Sequence, residues 1–168
     1  MSNIEPWLRG THTDLDPTRR AVLHALELAQ EDLQRWCAPL DTTQLEASAY
    51  NLPSTAIQLR HIARSLDRLM AYAEGKALTE AQLQALKSEH IATEDPLYEC
   101  LTGIDQAIQR LLTFTPEDFE KPRTVGRAAL PTTVASLLIH IAEHTQRHVG
   151  QAITTAKLIQ ALHEAEAS

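Results

Sequence analysis

Twice in this chain an aspartate stands directly before a proline, at Asp16-Pro17 and again at Asp95-Pro96. The aspartate accepts the unpaired N–H groups of a first helical turn, and proline at the first helical position lacks an N–H that would have no partner there. Each pair therefore opens a helix. Beyond the first, Val22, Leu26, Ala29, Leu33 and Trp36 step by four and three residues into one apolar stripe that stops before Pro39. Beyond the second, Leu97, Leu101, Ile104, Ile108 and Leu111 do the same, with Thr115-Pro116 marking the end. Another helix begins near Leu52-Pro53-Ser54 and runs to Gly75, a helix-terminating glycine. Leu52, Ala56, Leu59, Ala63, Leu66, Met70 and Ala73 line one of its faces, and Arg60, Arg64, Asp67 and Arg68 another. The last long helix starts at Pro131 or Thr132 and reaches about Leu162, with Gly150 its only breaker.

The connections are polar. Residues 41–51 read as a linker; Thr79, with Glu80 and Gln82 in the first turn, caps a short helix read as an insertion; the proline-rich segment 116–131 reads as a long crossover with a short extended piece. Four long amphipathic helices and no strand of consequence predict an all-α four-helix bundle with a longer crossover connection before the last helix. A length of 168 residues suits a single domain over 1–168, with the bundle core at about 16–162.

A net charge of −7 without any basic run argues against nucleic acid as a partner. No apolar run approaches the ~20 residues of a membrane span and the N-terminus does not resemble a secretion signal, so a cytoplasmic protein without membrane attachment is expected. Cys37 and Cys100 lack a metal-binding or redox spacing and read as helix-packing residues. Any metal would be held by nitrogen and oxygen.

The final helix contains HIAEHTQRHVGQ, which sets His140, His144 and His148 four residues apart. Neighbours at that spacing share a face and can reach one ion. With His144 at 0° and 100° per residue, the apolar stripe of this helix centres at roughly 80°, His148 at about 40° and His140 at about −40°. His144 and His148 therefore form the inward pair. Two imidazoles are too few, since catalytic sites of this type use three protein ligands and leave a position open. His61, the only histidine of the second long helix, lies at the boundary of its apolar and charged faces and is the candidate third ligand. Spacing alone leaves a second reading open, in which these are ordinary hydrogen-bonded helix histidines.

EHTQRHVGQ, in the terminal helix of such a bundle, together with LRHIARSLDRLM earlier, resembles the HxxxHxGQ layout of the DinB-like (YfiT-like) superfamily. The resemblance spans about residues 16–162 and implies that His61, His144 and His148 hold a divalent metal ion, nickel or zinc above others. It further implies a metal-dependent enzyme of the low-molecular-weight-thiol S-transferase type, a small-molecule substrate, a role in stress response and a homodimer. Arg64, Arg68 and Arg147 are candidates to hold the carboxylates of such a thiol. A metal-dependent hydrolase and a non-catalytic, metal-stabilised dimer are the competing readings. Gly150 suggests a close approach by another helix or subunit, and Gln151, at about −20° on the wheel, lies close to the histidine face. His12, His24, His90 and His163 are left outside the site, with His24 on a polar face near Glu27 and Glu31.

Overall fold

The computed structural model describes residues 4–166. Its long helices are α1 (Pro17–Cys37), α3 (Thr55–Ala73), α5 (Pro96–Leu111) and α6 (Val134–Glu166), with the short α2 (Thr42–Glu46) and α4 (Glu80–Lys87) between them. An antiparallel hairpin of β1 (Pro122–Val125) and β2 (Leu130–Thr133) precedes α6. The fold is the expected all-α bundle. α3 packs against both α5 and α6, and α6 returns against α1.

Helix starts follow the sequence logic closely. The Asp16 carboxylate accepts the Thr18 and Arg19 N–H groups and also pairs with the Arg19 guanidinium. Asp95 accepts from Tyr98 N, and Thr79 and Gln82 form a reciprocal capping box. Gly75 takes a left-handed φ of +75° just past α3, the conformation that favours glycine at this position. The Arg123 guanidinium crosses from the hairpin beside this glycine to donate to the Ala73 carbonyl.

Two segments depart from the sequence reading. The linker at 41–51 begins with α2, whose Asp41 and Gln44 form a second capping box and whose Leu45 is buried. The last helix starts at Val134 because Leu130–Thr133 pair with β1 before it; the Val134 and Ala135 N–H groups bond Lys121 and Phe119 carbonyls across the crossover.

The core is continuous along the bundle: Leu26 and Leu33 from α1, Leu59, Leu66 and Met70 from α3, Ile104 and Leu111 from α5, and Leu138 and Ile141 from α6 are all essentially inaccessible. Each such side chain is worth about 1.5–3 kcal/mol of burial. Cys37 and Cys100 lie in this core, as expected of packing residues, and burial pushes the Cys37 thiol up to about 12 and that of Cys100 higher still. α3 and α5 approach so closely at Gly103 that an added Cβ would stand 3.0 Å from both the Cα and Cβ of Ala63. No helix among the described residues is long and apolar enough to cross a membrane.

Candidate metal centre

His61 on α3 faces His144 and His148 on α6, and one ring nitrogen from each lies within 4.8 Å of the other two. The His61 and His144 Nε2 atoms are 3.4 Å apart, and the His61 and His148 ring centroids 4.2 Å. A tetrahedral ion with metal–nitrogen bonds of about 2.0–2.1 Å sets its ligands roughly 3.3 Å apart. The two Nε2 atoms already stand at that separation, so the cluster could hold a metal ion with little rearrangement.

The far edges of the His61 and His148 rings are held by other side chains. His61 Nδ1 lies 2.9 Å from Glu89 Oε2. A carboxylate only accepts, so Nδ1 carries the proton and Nε2 presents its lone pair toward His144. His148 Nδ1 lies 2.8 Å from the Gln58 side-chain oxygen, which imposes the same tautomer. Fixing ring orientation and tautomer in this way is the usual work of groups behind a metal ligand. The Ser65 hydroxyl, one turn beyond His61, lies 3.2 Å from the Nε2 of that histidine and accepts from Arg68.

Electrostatics favour the neutral forms of His144 and His148. Burial, reinforced by the neighbouring imidazoles of His148, His61 and His140 and by Arg147, lowers His144 to about 4. Burial and His61 lower His148 too, against an opposing hydrogen bond in which Gln151 accepts. Burial alone would raise Glu89, but the hydrogen bond and charge of His61, together with Arg68, outweigh it and hold the carboxyl below its ordinary range.

Glu89 and Gln58 were not foreseen from the sequence. Gln58 is on α3 but its partner is His148 on α6, a contact that spacing within one helix cannot reveal; Glu89 lies in the connection after α4, where no periodicity exists to place it. That connection is strapped to α3 by the arginines of its charged face. Arg60 is completely buried, donating to the Glu46 carboxylate and to the Glu89 carbonyl at 2.7 Å. Arg64 donates to Glu99, the Ala85 carbonyl and Ser88. Arg68 bonds Ser65 and stands 3.5 Å from Glu89. The wheel set these side chains together on the charged face of α3 but could not show what covers them, because it registers one helix and not the segment laid across it.

The other expectations divide. His140 is half-exposed, 3.9 Å from Glu143, and its ring centroid is 5.6 Å from that of His144, outside the group formed by His61, His144 and His148. Gly150 is exposed, and among the described residues an added Cβ would meet nothing within 4 Å, so the expected close helix contact is absent within the chain. Gly150 instead borders a cleft of about 320 Å³ with Gln58, Arg147, Gln151 and Thr154, beside the His148 ring. His24 is buried rather than on a polar face.

No curated protein matches the chain. The helical architecture, the facing histidines of α3 and α6 and a family-model match over residues 25–152 of the 168 agree: the chain belongs to the DinB superfamily.

Proposed function

We propose that His61, His144 and His148 bind a divalent ion, nickel or zinc, and that the protein is a metal-dependent enzyme transferring a low-molecular-weight thiol to a small electrophilic substrate. The observation that carries this reading is the convergence of imidazole nitrogens whose opposite edges are tied to Glu89 and Gln58. Imidazole suits the first-row divalent metals, and three protein ligands leave coordination positions open. Bound there, the ion would supply Lewis acidity, favouring the thiolate form of a ligated thiol at neutral pH.

The residues of the chain then have distinct tasks. Glu89 and Gln58 hold two ligand rings in one tautomer. The cleft beside His148, about 320 Å³, falls at the small end of the range for small-molecule sites. Arg147 at its rim offers a cation to a carboxylate of the thiol. Arg64 and Arg68, proposed from sequence for the same task, are committed to Glu99 and to Ser65 and Glu89. Neither cysteine can provide a thiolate, because burial raises both thiols far above neutrality. The nucleophilic sulfur therefore belongs to the small molecule.

Hydrolysis would need a general base on the open side of the ligands. Glu89 stands behind His61, on its Nδ1 edge, and Glu143 is exposed, so no carboxylate among these favours that reading. Metal analysis of protein made without an affinity tag, followed by thermal-shift measurements of the loaded protein with bacillithiol, mycothiol and glutathione, tests the proposal. One tightly held ion, lost in His61→Ala, His144→Ala and His148→Ala, with stabilisation by one thiol, is expected. A folded protein that takes up no divalent ion overturns the metal assignment; a loaded protein indifferent to all three thiols overturns the transferase assignment.

A further inference from the structure

A second group of metal-binding side chains lies away from the histidines of α3 and α6. His12, His24 and Glu27 each place a donor atom within 4.8 Å of the other two. His24 and Glu27 are three residues apart on α1 and share a face. His12 comes from the N-terminal arm, which makes a 3-10 turn at Pro6–Leu8 and lies along α1. Arg9 fastens the arm through a two-pronged ion pair with Glu31, one turn beyond Glu27.

The backbone of the arm is shaped to deliver the imidazole. Gly10 has a φ of +68° and His12 of +56°. A non-glycine residue in the left-handed region is uncommon and costs free energy unless its surroundings hold it there. Here the turn sets the His12 ring against α1, its Nε2 2.7 Å from Glu27 Oε1 and its centroid 5.6 Å from that of His24. His24 is only 7% exposed, and its Nε2 meets the Thr11 hydroxyl at 3.1 Å.

We propose that His12, His24 and Glu27 form a second divalent-metal site, of the kind zinc occupies, which clips the N-terminal arm to α1. Two imidazoles and one carboxylate are a well-attested zinc donor set. The direct bond between His12 and Glu27 is the metal-free form of this clip. Because donors around a tetrahedral ion stand roughly 3.3 Å apart, those two atoms need separate by less than about 1 Å to admit it. A cleft of about 310 Å³, lined by His24, Thr11, Thr13 and Arg20, opens beside the site and gives an ion and its remaining water a route in. The family match begins at residue 25, so two of the three donors lie outside it, and the clip is a feature of this chain rather than of the matched segment.

Zinc titration by calorimetry on the full-length, tag-free protein tests the site, with trypsin cleavage after Arg9 as a second readout. The variant combining His61→Ala, His144→Ala and His148→Ala should still bind one zinc per chain. Adding Glu27→Gln, or His12→Asn, which keeps a residue tolerant of positive φ, should weaken that binding at least tenfold. Zinc should slow cleavage after Arg9 at least tenfold in the parent and not in Glu27→Gln. Should the triple variant fail to fold, the same two substitutions in the otherwise unaltered chain should lower the zinc count by one. A folded triple variant that binds no zinc overturns the proposal, as does zinc binding that neither Glu27→Gln nor His12→Asn changes.

Discussion

Arg60 holds a full charge with none of its side chain exposed, and its partners are the Glu46 carboxylate and the carbonyl of Glu89. Arg60→Met would keep the stem's packing but strand both acceptors, and loss of one partner from a buried pair is strongly destabilising. With Glu46 still 28% exposed, about 2–3 kcal/mol is the expected loss by urea denaturation. Behind the ligands, Glu89→Gln and Gln58→Leu should each leave the three histidines in place and weaken metal affinity about 10–100-fold, read by competition with a chelator. The facing histidines were partly legible: the wheel separated His144 and His148 from His140 through their angles to the apolar stripe. His61 was named as the only histidine of its helix and then by family resemblance, since its boundary position alone is unremarkable on a wheel. Glu89 was hidden because its location, 28 positions beyond His61, depends on how the chain between them folds back over α3.

Among the elements, two helical glycines behave in opposite ways. Gly103 is where α3 and α5 touch, and Gly103→Ala would force a Cβ to 3.0 Å from the Ala63 backbone. Overpacking of about 1–3 kcal/mol should exceed the roughly 1 kcal/mol of helix propensity gained, so the substitution destabilises. Gly150→Ala meets no described atom within 4 Å and should stabilise by about 1 kcal/mol, seen as a higher urea midpoint. The sequence drew notice to Gly150 through its signature and passed over Gly103, because close approach depends on the partner helix. α3 and α5 are also joined where the Glu74 carboxylate accepts from Arg110 at 2.6 Å and from Lys76. Burial would raise Glu74, but these cations outweigh it and lower its pKa from the ordinary 4.5. The folded state therefore favours the ionised form. That stabilisation is complete above about pH 4.5 and disappears as pH falls through the lower folded value. In denaturation across pH 3–6, Glu74→Gln should be less stable than the parent at pH 6 and show a flatter decline toward pH 3.

For the whole molecule, the histidines of the centre lie on α3 and α6, more than eighty residues apart in sequence, and meet only when the bundle is assembled. Ion binding therefore favours the folded chain. At free metal about a thousand times the dissociation constant, the gain is about 4 kcal/mol, or a rise in Tm of roughly 10 °C for a chain of this size. A thermal scan with and without chelator should show that rise in the parent and lose it in His144→Ala. Helix order and caps were readable because they are written in local residues; the hairpin was harder, since its short strands carry only four residues each and two prolines. The arginine strap has a further consequence. Glu89 sits on a surface connection rather than a bundle helix, so insertions or substitutions between α4 and α5 can reset how firmly His61 is held while every ligand and core residue stays unchanged. The affinity of the proposed centre for an ion could then be changed through a loop, without repacking the interior.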